Sequence, residues 1–158
     1  YLEDLIDTNK TNFCIGVGGY PEKHFEASSL ERDIETLKYK VDCGADYIVT
    51  QMFFDNQKYF DFVKLCRDND INVPIIPGLK PLSTAKHLNI LPHRFHLNLP
   101  SELVNEVLRC KNRNEIREVG VEWAVQQTKE LISFGAPCVH YYTMGNTDNI
   151  IKIMSNFS

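Results

Sequence analysis

The sequence predicts an α/β fold of the (β/α)8 TIM-barrel type, in which this chain supplies a half-barrel of four strand–helix units. Three observations lead to this prediction. Hydrophobic runs typical of buried strands alternate with helical patterns along the chain, as they do in parallel sheets with helical crossovers. Four such units are half of a barrel that typically takes ~250 residues. Residues 1–158 contain no low-complexity linker, which indicates a single domain. An open parallel sheet of four strands is the alternative that this pattern leaves open.

The individual elements follow from periodicity and turn signals. The first helix begins at a capping box, Ser28–Glu31, and Gly44 closes it. Asp55 and Asn56 are suited to cap the second helix. The third helix should end before Pro92, and an irregular segment should follow it. The predicted strands are 13–20, 46–54, 73–78 and 137–142, the remaining helices are 56–68, 83–91, 101–110, 114–134 and 146–156, and the irregular segment is 93–100.

Composition narrows the classes of function. The chain is 43% hydrophobic with a net charge of -4, which suits one domain with a substantial core. No cluster of Lys and Arg suggests nucleic-acid binding, and no apolar run approaches the ~20 residues of a membrane span. The five cysteines are scattered and form no CxxC pair. We therefore expect a cytoplasmic protein with reduced thiols at core positions, and neither a metal site nor a disulfide framework.

The stretch Gly16–His24, GVGGYPEKH, follows the first predicted strand and could bind a nucleotide. A dinucleotide fingerprint requires G-x-G-x-x-G, with a helix N-terminus facing the pyrophosphate. The third glycine position is Pro21, and the next helix begins too far along the chain. The fingerprint is therefore disfavoured. Two interpretations remain, a kink at the end of the strand or a stretch of backbone left bare so that a flat ligand can lie against it.

Two further sets of side chains suggest a ligand site. Asp33 and Lys40 share one flank of the first helix, two turns and ~10 Å apart, where a lysine can meet phosphate and an aspartate can meet hydroxyl groups. A solvated helix flank is the alternative. Gln51 continues the inward-facing series of Tyr47 and Val49 towards the end of its strand. A buried amide needs hydrogen-bond partners, and barrel sites lie at the carboxyl ends of strands, so a site role is favoured over a core role.

Four motifs, in order and at matching spacing, resemble those of the methylenetetrahydrofolate reductase family. The family pattern reads roughly A-x-Y-P-E-x-H, K-x-K-x-D-x-G-A, T-Q-x-F-F-D and I-I-P-G. The corresponding segments here are Gly16–His24, Lys38–Asp46, Thr50–Asp55 and Ile75–Gly78, and the likeness runs from about Phe13 to the end. The resemblance implies a TIM-barrel flavoprotein of cytoplasmic one-carbon metabolism and methionine biosynthesis. Such an oxidoreductase uses NADH or NADPH and FAD to reduce 5,10-methylenetetrahydrofolate to 5-methyltetrahydrofolate.

The resemblance also implies roles for individual residues. Tyr20 and His24 would lie along the FAD. Asp33, Thr36 and Lys40 would hold its ribityl, phosphate and adenosine parts.

Substrate contacts are implied at Gln51 and His87. Gln51 would hydrogen-bond the nicotinamide or pterin stacked on the flavin. Many family members have a glutamine where this chain has His87, and an arginine near the folate tail where this chain has Asn146. His87 can still form a hydrogen bond, or it can be an exposed helix residue, whereas Asn146 cannot supply a charge.

The resemblance finally implies that this chain is the carboxyl-terminal half of the barrel. The family's catalytic glutamate and its Arg-Gly-Asp segment belong to the other half, and neither is present here. We therefore expect little reductase activity from this piece alone, and either a homo-oligomer or completion by the missing half. The alternative is a non-catalytic half-barrel module that binds flavin or another nucleotide, or dimerises.

Overall fold

The structure is a computed structural model that describes residues 13–145 and 147–157. At its centre is a parallel sheet of four strands in the order β1-β2-β3-β4. The strands are β1 (Gly16–Gly19), β2 (Tyr47–Met52), β3 (Ile75–Leu79) and β4 (His140–Tyr141). The helices are α1 (Leu30–Asp42), α2 (Asn56–Asp68), α3 (His87–Phe95), α4 (Ser101–Arg109), α5 (Arg113–Phe134) and α6 (Asp148–Met154).

The strand order distinguishes a barrel segment from a doubly wound sheet. Each strand pairs in parallel with the next one along the chain, so every crossover moves in the same direction. Right-handed crossovers of this kind place all their helices on one face of the sheet, whereas a doubly wound sheet reverses direction and covers both faces. The prediction of four consecutive barrel-type units is confirmed.

One face of the sheet carries the main hydrophobic core. Ile48, Ile75 and Leu79 pack there against side chains of α1, α2 and α5. The other face, which includes Val49 and Gln51, remains only half-buried. In a complete barrel this second face points inwards and is filled by layers of side chains from all eight strands. The half-exposed face therefore corresponds to the barrel interior.

Side chains cap the starts of α1, α2 and α5, and at α1 the capping residue is Ser29, one residue later than the predicted capping box Ser28–Glu31 requires. Ser29 Oγ accepts a hydrogen bond from the backbone N–H of Arg32, and Asp55 Oδ1 accepts one from Gln57. Asn112 Oδ1 accepts from both Asn114 and Glu115 at the start of α5. Each cap satisfies amide groups that have no partner within the helix.

The prediction around Pro92 was wrong. Helix α3 begins at His87, contains Pro92 and continues to Phe95, where the segment had been expected to be irregular. The missing N–H of a proline costs one hydrogen bond in a helix, but Leu91 is only 2% exposed and lies in a hydrophobic cluster with Leu97 and Leu103. Packing of this short helix against the cluster therefore outweighs the local preference. The helix ends at His96 in the left-handed conformation, with φ 53°.

The cysteines are free thiols, but they do not all lie in the core as expected. Cys66 is fully buried, and this burial raises the pKa of its thiol to about 12. Cys14 and Cys138 are exposed, because they precede the two edge strands of the sheet. Within the described residues, no helix is long and apolar enough to cross a membrane.

Candidate functional site

The carboxyl ends of the four strands lie along one edge of the sheet and carry polar side chains. Tyr20 follows β1 directly, Gln51 is the penultimate residue of β2, Lys80 follows β3, and Tyr142 follows β4. Loops at this end of parallel strands are where barrel proteins build their sites. The side chains after neighbouring strands can therefore act on one ligand.

The glycines at the end of β1 serve two different purposes. A Cβ atom on Gly19 would lie 2.7 Å from Ile48 Cγ2 and 2.9 Å from the Phe62 ring, so close packing against the core requires glycine there. At Gly18 the nearest atom to such a Cβ would be the Tyr20 hydroxyl oxygen, at 3.7 Å. The backbone at Gly18 therefore faces open space. Close packing at Gly19 was neither of the two interpretations left by the sequence, and the bare backbone at Gly18 is compatible with the second of them.

Tyr20, His24 and Asp33 form a connected group in and below the loop after β1. The rings of Tyr20 and His24 meet edge to face, with centroids 4.4 Å apart. The backbone N–H of His24 donates to Asp33 Oδ2 at 2.7 Å. Burial raises the pKa of Tyr20, and the negative charges of Asp33 and Glu26 raise it further. The phenol therefore keeps its proton at neutral pH and can donate a hydrogen bond.

Thr36 and Lys40 continue the same flank of α1 beyond Asp33, but neither touches the group around Tyr20. Both are exposed. The Thr36 hydroxyl donates to the carbonyl of Arg32 at 2.9 Å, within the helix. Lys40 forms no ion pair with any residue that the structure describes. The flank thus presents one carboxylate, one hydroxyl and one unpaired ammonium in a row.

Gln51 and Tyr20 line one narrow cleft of only about 10 Å³, together with Phe95 and His96. Its side-chain oxygen accepts a hydrogen bond from the backbone N–H of Met52 at 2.9 Å. Among the described residues, its amide nitrogen has no hydrogen-bond partner. The side chain is half-buried rather than fully buried. Gln51 is therefore held by its oxygen and can donate from its nitrogen.

An irregularity in β2 explains why Gln51 is held in this way. The pairing of β2 with β3 shifts register between Val49 and Met52. Pro77 of β3 has no N–H to offer a neighbouring strand, and the next N–H, that of Gly78, donates to the side-chain hydroxyl of Thr50 at 2.9 Å. Thr50 and Gln51 on β2 therefore face Pro77 and Gly78 on β3 across one β-bulge.

His87 lies elsewhere, in a cavity of about 240 Å³ beyond the ends of β3 and β4. Its Nδ1 accepts from the backbone N–H of Ser83 at 3.3 Å. Burial lowers the pKa of His87, and the positive charges of Lys80 and Arg113 lower it further. The ring is therefore neutral at neutral pH. Asn146, the other position considered for a substrate contact, lies outside the described residues.

Several residues of this edge were not anticipated from the sequence. Lys80 and Tyr142 border the His87 cavity. Glu22 joins the loop after β1 to the segment after α3, because its carboxylate accepts the backbone N–H of Asn98 at 3.0 Å and also the Asn98 amide. In the sequence, only its position could have indicated Lys80 as a site residue, because it directly follows the hydrophobic run of a predicted strand.

The largest volume among the described cavities belongs to one that contains none of the predicted site residues. This cavity of about 680 Å³ lies between the starts of α2 and α4 and the side of α5, and none of the predicted side chains lines it.

Within residues 13–145 and 147–157, no cluster of three or more His, Cys, Asp or Glu side chains could hold a metal ion.

The fold defines a protein of the (β/α) barrel class, and the carboxyl ends of its strands form the candidate site. The sequence model described as methylenetetrahydrofolate reductase matches residues 1–158. The chain therefore belongs to the methylenetetrahydrofolate reductase family.

Individual relatives agree with this assignment. Methylenetetrahydrofolate reductase 1 of Schizosaccharomyces pombe is 35% identical over 98% of this chain and 26% of its own length. The 5,10-methylenetetrahydrofolate reductase of Pectobacterium carotovorum is 34% identical over 94% of this chain and 51% of its own. The chain thus spans from about a quarter to about half of these relatives.

A solved structure shares the fold. It is an uncharacterized protein from Clostridium thermocellum that binds two copies of 5-methyl-5,6,7,8-tetrahydrofolic acid. The TM-score is 0.65 with 22% sequence identity, over 90% of this chain and 51% of the other.

Proposed function

We propose that this chain supplies cofactor and substrate contacts to a flavin-dependent methylenetetrahydrofolate reductase. The reaction is the reduction of 5,10-methylenetetrahydrofolate to 5-methyltetrahydrofolate by NADH or NADPH. The observation that carries the proposal is the group of Tyr20, His24 and Asp33 beside the bare backbone of Gly18, facing Gln51 across a cleft. Family membership supports the reaction. Relatives named for NADH in Arabidopsis thaliana and for NADPH in Caenorhabditis elegans support either nicotinamide cofactor.

The residues at the end of β1 and along α1 fit FAD. The backbone at Gly18 is bare, with only the Tyr20 hydroxyl oxygen within 4 Å of where a Cβ would lie, and we propose that the ring system lies against it. Along α1, Asp33, Thr36 and Lys40 offer groups suited to hydroxyls and phosphate, in that order, and Lys40 has no ion-pair partner among the described residues. FAD, when bound, supplies the hydride chemistry, while the protein binds and orients.

Each of these side chains has a defined task in this proposal. The Lys40 ammonium forms charge-assisted hydrogen bonds to phosphate oxygens. Asp33 accepts from ribityl or ribose hydroxyls through Oδ1, because Oδ2 already holds the His24 backbone. The Tyr20 phenol, kept protonated by its raised pKa, donates a hydrogen bond, and its ring with that of His24 covers the cofactor edge.

Gln51 is the proposed contact to the reacting partner. Its oxygen is engaged by Met52, so its nitrogen donates to the carboxamide oxygen of nicotinamide or to the ring carbonyl of pterin. A single donor held by the backbone suits two heterocycles that occupy the same place in turn. His87 is the proposed second substrate contact, further along the edge.

The chain is proposed to act as part of a larger assembly. The face of the sheet that includes Val49 and Gln51 is only half-buried, and β1 and β4 pair with no further strand among the described residues. Open edges and exposed apolar faces favour association. We therefore propose that the barrel is completed by an amino-terminal half or by another copy of the chain, with the proton donor supplied from outside these residues. A cytoplasmic role in one-carbon metabolism and methionine biosynthesis belongs to the same proposal.

A titration of FAD into the purified chain tests this function. Flavin fluorescence and solution mass are followed together, with NADH-dependent turnover assayed on the same samples. We expect FAD binding in an oligomer or in the completed barrel, with turnover only in the completed barrel. Flavin binding without turnover in a completed barrel would instead support a non-catalytic module. A completed barrel that binds no FAD would contradict the proposal.

A further inference from the structure

The cavity of about 680 Å³ between the starts of α2 and α4 and the side of α5 has the size of a small-molecule site. Pockets that take drug-sized ligands commonly have about 300–1,000 Å³. This cavity shares only Glu22 with the cleft that Tyr20 and Gln51 line, and none of the cofactor or substrate contacts proposed above lines it. It is therefore a second candidate site, separate from the one assigned to the reductase reaction.

Hydrogen bonds between α2 and α5 hold one wall of this cavity in place. The Gln127 side chain donates from Nε2 to Asn56 Oδ1 at 3.1 Å, and Asn56 Nδ2 donates to Glu130 Oε2 at 2.8 Å. Asn56 and Gln127 are only 7% and 6% exposed. A buried polar network whose members are satisfied is rigid. The cavity is therefore formed before a ligand arrives, and little conformational freedom is lost on binding.

Aromatic rings provide much of the lining. The Trp123 indole donates from Nε1 to the carbonyl oxygen of Phe54 at 3.1 Å, so its position is fixed. The Phe60 ring stacks on Phe134 with centroids 4.3 Å apart. Aromatic faces attract organic cations, and an apolar lining suits the hydrocarbon part of a ligand. The apolar lining residues are Phe54, Phe60, Leu99, Pro100 and Trp123.

The polar part of the lining is negatively charged. Four carboxylates face one ammonium, and these residues are Glu22, Asp55, Glu102 and Glu130 against Lys58. The groups that donate hydrogen bonds to the carboxylates are backbone N–H, amide and hydroxyl groups, all of them neutral. None of the four pairs with a cation of the described residues. A cationic ligand would therefore meet negative charge that no protein cation balances.

The lining favours an organic cation over a metal ion. Among the residues that the structure describes, no cluster of His, Cys, Asp or Glu could hold a metal. A metal ion would also leave the aromatic lining without a partner. An alkylammonium group donates charge-assisted hydrogen bonds to carboxylates, and an attached ring packs against Trp123 and Phe60. An amine that carries an aromatic group therefore uses both parts of the lining.

Two of the carboxylates are the best placed to receive the ammonium group. Glu130 accepts hydrogen bonds from two side chains, and Glu22 accepts both the backbone and the side-chain N–H groups of Asn98. Asp55 and Glu102 each accept one hydrogen bond from a described residue and are exposed at the rim. Their remaining oxygen lone pairs are available to a ligand.

We propose that this cavity binds an aromatic amine in its ammonium form, with Asp55 and Glu102 meeting the charge and Trp123 and Phe60 meeting the ring. The volume favours such a small molecule over a longer basic segment of another protein, which is the competing occupant. The inference does not depend on the proposed reductase function.

The test measures binding to the whole chain by fluorescence, without turnover. Trp123 is the single tryptophan of the sequence, so its emission reports on this cavity. The probes are phenethylamine, ethylamine without the ring, phenethyl alcohol without the charge, hydrocinnamate with the opposite charge, and tetralysine as a basic peptide. We expect phenethylamine to change the emission saturably, ethylamine and phenethyl alcohol to bind at least about tenfold more weakly, and hydrocinnamate and tetralysine to have no effect.

A matched pair of double variants tests the carboxylates. Asp55→Asn with Glu102→Gln removes two charges from the cavity, and asparagine can still cap α2. Asp61→Asn with Glu106→Gln removes two charges from exposed positions on the same helices, outside the cavity. The first variant should weaken phenethylamine binding by about tenfold and the second by less than about twofold. Because the change in net charge is equal, the difference measures the contacts in the cavity.

Each outcome bears on the proposal. Equal affinities for phenethylamine and phenethyl alcohol, equal losses in the two double variants, or no response of Trp123 to phenethylamine would overturn it. Binding of tetralysine without phenethylamine would assign the cavity to a basic protein segment and would overturn it as well. Failure of the reductase proposal would show separately, as absent FAD binding in the completed barrel, and would leave these measurements intact.

Discussion

The hydroxyl group of Tyr142 donates a hydrogen bond of 2.9 Å to the carbonyl oxygen of Thr50, joining the end of β4 to β2 across the strand between them. The ring passes over Gly78, where a Cβ would lie 2.7 Å from Tyr142 and 2.3 Å from the Thr50 carbonyl oxygen. The Tyr142 side chain therefore holds the ends of β2, β3 and β4 in register, next to Gln51.

Tyr142→Phe should destabilise the chain by about 1 kcal/mol, the typical net value of one hydrogen bond. The Thr50 carbonyl loses its partner, while the ring and its packing remain. Urea unfolding followed by circular dichroism measures the change. Tyr47→Phe is the control, because the Tyr47 hydroxyl makes no hydrogen bond with a described residue. Equal effects of the two substitutions would show that the bond to Thr50 contributes nothing.

The neighbouring glycines at the end of β1 should respond in opposite ways. Gly19→Ala forces a methyl group against Ile48 and Phe62 and should cost about 1–3 kcal/mol of unfolding free energy, as overpacking does. Gly18→Ala has room and should change stability by less than about 0.5 kcal/mol. In the completed protein, however, Gly18→Ala should weaken FAD binding, because the methyl group enters the proposed cofactor space. Unfolding curves of both variants measure the loss of stability, and FAD titrations of both measure the loss of affinity.

Lys40→Ala should weaken FAD binding by the completed protein about tenfold or more, the loss expected for one charge-assisted bond to phosphate. Stability should hardly change, because the side chain is exposed and pairs with no described residue. Lys64→Ala, also exposed but on α2, is the control. Identical FAD affinity in both variants would remove Lys40 from the cofactor site.

Gln51→Leu should slow both the NADH-dependent and the folate-dependent stage of turnover by about tenfold or more, as for one lost hydrogen bond to a partner that is otherwise well placed. The two stages are measured separately by stopped flow in the completed protein. Gln57→Leu, at an exposed position, serves as the control. Full rates in both stages would exclude a contact to the reacting partner.

The chain should lose stability as pH falls through the range in which His87 would take up a proton. Burial holds the pKa of His87 in the folded state below the ordinary histidine value of 6.5, so the unfolded chain binds the proton more readily. The contribution is complete above about pH 6.5 and falls below it. Urea midpoints between about pH 7.5 and about pH 5 measure the slope, and subtracting the His87→Gln profile isolates this residue. Superimposable profiles would mean that the folded protein does not resist protonation of His87.

Local patterns were sufficient for the order of the elements. Capping residues such as Asp55 and the spacing of apolar residues depend on near neighbours, and the helices they indicated are present, although the cap of α1 is Ser29 and not the first residue of the predicted box. Pro92 was misjudged because its cost is local, whereas the burial of Leu91 that offsets it depends on distant residues.

The details of the site required the fold. The bulge at Gln51 arises because Pro77 is adjacent to Thr50 only after β2 and β3 pair. Gly18 and Gly19 look alike in sequence and differ only in what faces them. Lys80 and Arg113 are remote in the chain and share a cavity only because α5 returns to the end of β3.

The bonds from Glu22 to Asn98 join the two sides of the cleft between Tyr20 and Gln51. The loop with Tyr20 and the segment with His96 form the two sides of this cleft, and hydrogen bonds from Asn98 to the Glu22 carboxylate connect them. While these hydrogen bonds hold, the two segments cannot move apart at this point. If FAD binds as proposed, its ring system would have to pass between these two sides, and the opening of the Glu22–Asn98 bonds would then set how long it stays.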